Sequence, residues 1–343
     1  MNSLISIGRS LIPFLSPFHI SVDFGTTTTR IGIRNKGVVL REPTIIGYNQ
    51  RTKEPIFFGT EARQIVGKTP EFIKLIHPVV RGIVSDFDAS VLLLRQLIQL
   101  SVHPYLSYRR ILKPSIHATT CFPVHATEIE QKAVEEALYK VGCSSVDLVE
   151  KPLATATGID AGFSFQEPTL VVDLGGGAFE ISIVSGQGIV SEKTLYMAGE
   201  AMNKTISNYV YLKHGIILGE SSCERLKTEL MHFGRSEKQT MVRGKSLENG
   251  LPKSIRIRSD ELKEALLPGF KLVIESIREL IESSPPELVD EVYNRGIILT
   301  GGGSTIPGIS DFFSAELNIP TKTHHNSVDA TIIGLIEISK KAF

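Results

Sequence analysis

The sequence carries no excess of either charge: Lys plus Arg and Asp plus Glu both number 37, so no global charge argues for nucleic acid as a partner. Cysteine is scarce. Cys121, Cys143 and Cys223 are widely separated and in no CxxC or Cys/His spacing, which fits a reducing cytosol with the thiols acting as small buried hydrophobes. The apolar opening MNSLISIGRSLIPFLSPF falls short of the roughly 20 residues of a bilayer span. It also carries Arg9, Ser16 and two prolines and has no small-residue cleavage site, so neither a transmembrane helix nor a standard signal peptide fits. Familiar catalytic motifs are missing as well. "GKT" at Gly67 to Thr69 has Ala62 where a P-loop needs its first Gly, "GGSTI" lacks the last Gly of a nucleophile elbow, and no GxGxxG follows a strand. His324-His325 is not at metal-ligand helical spacing and reads as a solvated loop pair.

What is present is an ordinary globular composition, 42% hydrophobic and 22% charged, in a chain of 343 residues, long enough for two domains or one divided into lobes. In the opening segment Leu4, Ile7, Leu11, Phe14 and Phe18 recur at helical spacing, which suggests an interfacial amphipathic helix limited to its first half by Pro13 and Pro17. An arm packed on its own domain is the other reading. Beyond it, strand signals open both halves: HISVDFG then TRIGIRNKGVVL, and later TLVVDLGGG then FEISIVSGQGIV. Each is an apolar strand, an Asp-x-Gly turn and a second strand ending in a Gly turn, an internal repeat. The first half continues with strand and turn signals from Glu42 to Gly59, a helix from about Thr60, a helix capped near Asp86, a strand from Ser115 to Phe122 and a helix from Thr127 to Val141. In the second half, Ala198 to about Lys271 reads as mostly helical with one basic loop, Gly234 to Ser254, before "RGIILTGGGSTIPG" returns to strand, Gly loop and helix. The alternation predicts an α/β fold of two similar lobes with a cleft between them.

The chemistry is concentrated in the two turns. Asp23-Phe-Gly25-Thr26-Thr27-Thr28 and Asp173-Leu-Gly175-Gly176-Gly177 place glycines where backbone N–H groups can approach phosphate oxygens, because Gly has no Cβ to block them. Asp23 and Asp173 suit a hydrated Mg²⁺, which keeps waters while bound by one or two carboxylates and phosphates. Gly301-Gly302-Gly303-Ser304, after an apolar run, opens a helix and brings backbone near a nucleotide. One such turn alone is usually just a hairpin; three in this order point to nucleotide binding.

On the strings "DFGTTTTR", "GVVLREPTIIG", "GTEARQIVGKTPEFI", "HPVVRGIVSDFD", "CFPVHATEIEQKAVEEAL", "VEKPLATATGI", "VVDLGGGAFEISIVS", "GESSCERLKTEL" and "RGIILTGGGSTIPGI", the chain resembles the actin-like ATPase superfamily and, within it, the MreB family of bacterial actins. The resemblance implies the duplicated actin-like (ribonuclease H-like) α/β fold, two lobes of two subdomains around a nucleotide cleft that binds ATP or ADP with Mg²⁺. Its expected divisions are an arm at 1–18, a first lobe at 19–160 with an insertion at about 42–78, a second lobe at 161–335 with an insertion at about 200–258, and a tail at 336–343. It also implies a cytoplasmic protein that assembles with itself into double filaments on the inner face of an anionic membrane and organises cell shape. By position, Glu224 and Lys227 would contact the sugar and adenine region and Gly301 to Ser304 the adenine side.

Two departures bear on hydrolysis. The family usually carries Glu-Glu-Pro where this chain has Glu150-Lys151-Pro152, and Thr where it has Ala178. In the family that Glu and that Thr orient the attacking water. Lys has donors and no acceptor, and Ala has neither, so the resemblance predicts binding with weak or absent hydrolysis. Lys151 would instead pair with a phosphate oxygen. Alternatively it points to solvent, another residue orients the water, and the chain is an ordinary slow ATPase. A sugar kinase of the same superfold would need a catalytic Asp over a substrate pocket, and a chaperone-type ATPase a substrate-binding domain after Phe343; no candidate for either is found. A second membrane element is "RRILKP" (Arg109 to Pro114), where Ile111 and Leu112 stand between basic residues at the position of the family's hydrophobic membrane loop. Its other reading is a basic lead-in to a core strand.

Overall fold

A computed structural model of the chain describes residues 17–106, 114–159, 167–186 and 188–341. They fall into two units, one formed by residues up to 64, 72–158 and from 331 onward, the other by 65–71 and 159–330.

In the first unit β1 (Phe18–Phe24), β2 (Thr28–Ile33) and β3 (Gly37–Pro43) run antiparallel in succession. Next come a small sheet of β4 (Ile46–Asn49), β5 (Glu54–Phe58) and β6 (Ile73–Ile76), and a short pair, β7 (Val79–Val80) with β8 (Ile83–Val84). β9 (Ile116–Phe122) and β10 (Cys143–Glu150) rejoin the main sheet parallel to β1, giving the order β10-β9-β1-β2-β3. Parallel strands need long crossovers, here the helices Phe87–Ser101 and Glu128–Lys140. Each begins at a cap visible in the sequence: Asp86 accepts the N–H of Ala89 at 3.0 Å, and Thr127 with Glu130 forms a reciprocal capping box. Ile20, Val22 and Phe24 alternate along β1 and bury against Leu93, Leu97 and Leu138 of those helices.

The opposite face carries the helices Lys151–Ile159 and Ala330–Lys341. Ile332, Leu335 and Ile336 bury with Ala154, and the Thr155 and Thr331 hydroxyls lie 2.9 Å apart. A Cβ on Gly334 would stand 1.7 Å from the Ala154 carbonyl oxygen, so only glycine lets these helices meet so closely. This packing places the last helix with the first unit, whereas the sequence reading runs the second lobe to 335 and leaves 336–343 as a tail.

The second unit repeats the plan. β11 (Thr169–Leu174), β12 (Phe179–Ser185) and β13 (Gly188–Leu195) are antiparallel, while β17 (Ile297–Thr300) and β18 (Thr321–Thr323) lie parallel to β11, giving the order β13-β12-β11-β17-β18. Between them β14 (Ile216–Ile217), β15 (Gln239–Ser246) and β16 (Pro252–Arg258) form a smaller sheet. Position for position the two main sheets match, so the repeat in sequence is a duplication in structure. The basic stretch read as a loop is largely the β15–β16 hairpin. The apolar residues its inward side holds deeply are just Val242 and Ile257, among exposed Arg243, Lys245, Arg256 and Arg258, so the charges hide the alternation.

Two consequences are measurable. Gly334→Ala forces the two helices apart and lowers stability by about 2–3 kcal/mol, read by chemical denaturation. His19 on β1 stacks on His117 of β9 with ring centroids 5.0 Å apart, and His117 is 2.8 Å from the Asp147 carboxylate. Burial first, and then Arg34, hold the His19 imidazole below its ordinary 6.5. The unfolded chain therefore binds more protons just below that value, and stability falls as pH drops from 6.5 towards the lowered folded pKa. His19→Phe flattens this part of the denaturation profile.

Candidate functional site

In the first unit the Asp-x-Gly turn joins β1 to β2. An added Cβ on Gly25 would stand 2.8 Å from the Thr28 carbonyl oxygen, which folds back over the turn. Thr44 pins it from behind, its hydroxyl donating to Gly25 O at 2.7 Å and lying 2.9 Å from the Thr29 hydroxyl. Thr26 is buried, and its hydroxyl accepts the Gly82 N–H at 2.8 Å, so it ties the turn to the β7–β8 pair. Thr27 is exposed and Thr28 half-buried, which leaves these two on the open side. Asp23 is buried opposite Arg30 on the neighbouring strand, with a 3.1 Å ion pair holding its carboxylate.

In the second unit the β11–β12 turn has the same shape. A Cβ on Gly175 would stand 2.7 Å from the Ala178 carbonyl oxygen, and the Gly175 N–H donates to that oxygen at 3.1 Å. Phe179 then turns inward, 1% exposed, with its ring 6.2 Å from that of Phe270. Asp173 is buried at the end of β11 and accepts the Thr300 hydroxyl at 3.1 Å. The Gly301 to Ser304 segment leads into a short 3-10 helix, Gly302–Thr305. Its glycines have different jobs. Gly301 has φ of +78° and would place a Cβ 2.6 Å from both Asp173 Oδ1 and Leu174 O, and Gly303 would place one 2.8 Å from the Leu174 Cβ. Both are required for close packing against β11, whereas Gly302 is exposed with nothing within 4 Å of its position. Ser304 is buried and donates to Gly301 O at 2.7 Å.

Glu224 and Lys227 sit on the helix Glu220–Leu230 as an ion pair at 2.7 Å. Lys227 also donates to Gly199 O at 2.8 Å, at the start of the helix Gly199–His214. The N–H groups of Gly199 and Glu200 in turn donate to Gly175 O and Gly176 O, at 3.2 and 2.9 Å. Hydrogen bonds thus connect Glu224 and Lys227 to Gly175 and Gly176, and Asp173 to the strand end before Gly301. Four linking residues, Gly199, Glu200, Asn203 (whose Nδ2 donates to Glu224 Oε2 at 2.7 Å) and Thr300, escape sequence reasoning; only Thr300, directly before the glycines, carried a positional signal.

Lys151 is the first residue of the helix Lys151–Ile159, directly after the β10 strand end. Ala178 is 9% exposed and closes the second turn with its carbonyl, so the side chain of that residue contributes no polar group. Ile111, Leu112, Leu4, Ile7 and Leu11 lie outside the described residues. Among the described residues no helix is long and apolar enough to cross a membrane.

Comparison with known proteins agrees with this architecture. A family model described as MreB/Mbl protein matches residues 17–342. The chain belongs to the MreB/Mbl family. It is 32% identical over 320 residues to the cell shape-determining protein Mbl of Bacillus subtilis, covering 92% of this chain and 93% of that protein. The crystal structure of MreB 5 of Spiroplasma citri bound to AMPPNP superimposes with a TM-score of 0.88 at 27% identity, covering 95% and 97% of the two chains. A MamK double helical filament shares the fold at a TM-score of 0.77 and 20% identity, over 95% of this chain and 99% of that one. The actin-like fold and a cytoskeletal actin homologue are therefore established, and the sugar-kinase alternative is set aside.

The glycine loop provides its own control. Gly301→Ala meets both a disfavoured φ and a backbone oxygen and lowers stability by about 2–4 kcal/mol, while Gly302→Ala changes it by less than about 1 kcal/mol. Equal losses in paired denaturation curves would contradict the division of roles.

Proposed function

We propose that the chain binds ATP or ADP with Mg²⁺, assembles head to tail into filaments that organise cell shape, and holds its nucleotide with little or no hydrolysis. The observation that carries this reading is the pair of turns with identical construction, each a glycine under a backbone carbonyl beside a buried aspartate. Such turns cradle phosphate oxygens where a Cβ would exclude them. Gly25 with Thr27 and Thr28, and Gly175 to Gly177, take the phosphates; Thr26 supports the first turn. Glu224 and Lys227 take the sugar side, and exposed Gly302, held by Gly301, Gly303 and Ser304, the base side. The related Spiroplasma protein bound to AMPPNP supports the nucleotide.

Asp23 and Asp173 fit Mg²⁺ held largely through water. Their donors are hard carboxylate oxygens, each already oriented by Arg30 or Thr300. Among the described residues no group of three or more His, Cys, Asp or Glu side chains gathers to hold a metal, so waters and phosphates would complete the shell. Bound Mg²⁺ would neutralise phosphate charge.

Hydrolysis asks the protein to position a water in line, which requires an acceptor. Lys151 offers only donors. It stands at a helix N-terminus, where a cation is disfavoured by the helix dipole but an anion is welcome. A phosphate oxygen near Lys151 and the helix end would strengthen binding, and Lys151 supplies no acceptor for the water. Ala178 removes the second contact. One observation favours a slow ATPase instead: Glu180 lies directly across from Asp173 on β12, so the two carboxylates share a face of the sheet.

Filaments of this chain are read as double and as lying cytoplasmically against an anionic membrane, through the arm carrying Leu4, Ile7 and Leu11 or through Ile111 and Leu112. A contact that repeats head to tail without closing gives an open polymer.

Phosphate release with and without restored residues tests the proposal. Lys151→Glu alone recovers little, whereas Lys151→Glu with Ala178→Thr raises release at least about tenfold, since one lost positioning contact costs on the order of a hundredfold. A double variant that binds ATP without gaining turnover would place the defect elsewhere.

A further inference from the structure

One oxygen of Glu224 gathers two donors: Oε2 accepts from Lys227 Nζ and from Asn203 Nδ2, each at 2.7 Å. Asn203 lies on the helix Gly199–His214 and is only 8% exposed. Its other polar atom, Oδ1, is buried with no hydrogen-bond partner. Turning the amide over does not relieve this, because the oxygen would then face a carboxylate that can only accept. A buried acceptor left unmet is destabilising, and an apolar side chain of similar size would avoid it. Simple packing between the two helices therefore gives no reason for Asn at this position; a donor aimed at Glu224 does.

We propose that Asn203 is a positioning residue for the nucleotide sugar. With Lys227 it locks the Glu224 carboxylate in one orientation, so that ribose hydroxyls meet a fixed acceptor. The same lock reaches the phosphate turn, because Lys227 also holds Gly199 O, and the Gly199 and Glu200 N–H groups hold the carbonyls of Gly175 and Gly176. Sugar and phosphate recognition in the second unit are then mechanically joined. The inference rests on the nucleotide reading above and adds to it the residue that makes the site selective for a ribonucleotide.

The test compares the affinities of the full chain for ATP, 2′-deoxy-ATP and 3′-deoxy-ATP, with thermal melting run alongside. The unmodified protein prefers ATP to at least one deoxy analogue by about tenfold, the scale of a hydrogen bond to a charged group. In Asn203→Leu that ratio collapses to within about twofold while melting stays within a few degrees of the parent. Asn203→Asp keeps the shape and covers the case in which Leu does not fold. Near neutral pH it sets a second carboxylate against Glu224 and loses the preference. On acidification a proton shared by the pair restores a donor, and the preference returns. A folded variant that keeps the parental ratio, or a parent that binds ATP and both deoxy analogues equally, overturns the role of Asn203 and leaves nucleotide binding intact. A parent that binds none of the three overturns the nucleotide reading itself.

Discussion

A backbone carbonyl folded back over a glycine is the constraint on which the candidate site depends. At Gly175 the Ala178 oxygen stands 2.7 Å from where a side chain would start, and at Gly25 the Thr28 oxygen stands 2.8 Å away. The two turns are built alike because the two sheets are built alike, with the same strand order and directions around β1 and β11. In both, an aspartate sits at the end of the strand with its carboxylate turned off the core and held by a neighbour, Arg30 in one and Thr300 in the other. Neither aspartate needs a ligand to define its orientation. Preorganisation of this kind means that ordering was completed during folding, which favours affinity.

The same turns are where the proposed function separates binding from turnover. In the proposed function phosphate recognition rests on backbone and glycine, which the Lys151 and Ala178 departures leave untouched. Water activation would use side-chain acceptors, and the proposed function puts both departures there. In the second turn, residue 178 contributes its carbonyl to the fold whatever its side chain, so Ala at this position preserves the cradle while removing the hydroxyl. Lys151 begins its helix, where the proposed function gives it an anion to hold in place of a water to orient. On the proposed function, a cytoskeletal protein so altered would keep its nucleotide and lose the step that releases it.

Much of the fold was legible because its signals are local. The Asp-x-Gly repeat marked both main hairpins, Asp86 and Thr127 marked helix starts, and the glycine run marked the segment after β17. What was illegible depends on contacts distant in sequence. The final helix joins the first unit through the meeting of Gly334 with Ala154, which no periodicity near residue 334 announces. The β15–β16 hairpin buries too few apolar side chains for its alternation to rise above its charges. At Gly301 and Gly303 the structure shows a packing requirement against β11 that the sequence did not announce, since glycine at a turn reports close approach without saying what approaches. Asn203 gave no signal at all, being one amide in a polar helix until Glu224 folds against it.

The nucleotide state of the assembled polymer over time tests the account most directly. Filaments formed in ATP and Mg²⁺, collected by sedimentation and extracted at intervals, should still contain ATP long after assembly is complete, with no matching phosphate in the supernatant. Polymer that fills with ADP as it forms, with phosphate released in step, would contradict the separation of binding from hydrolysis at Lys151 and Ala178.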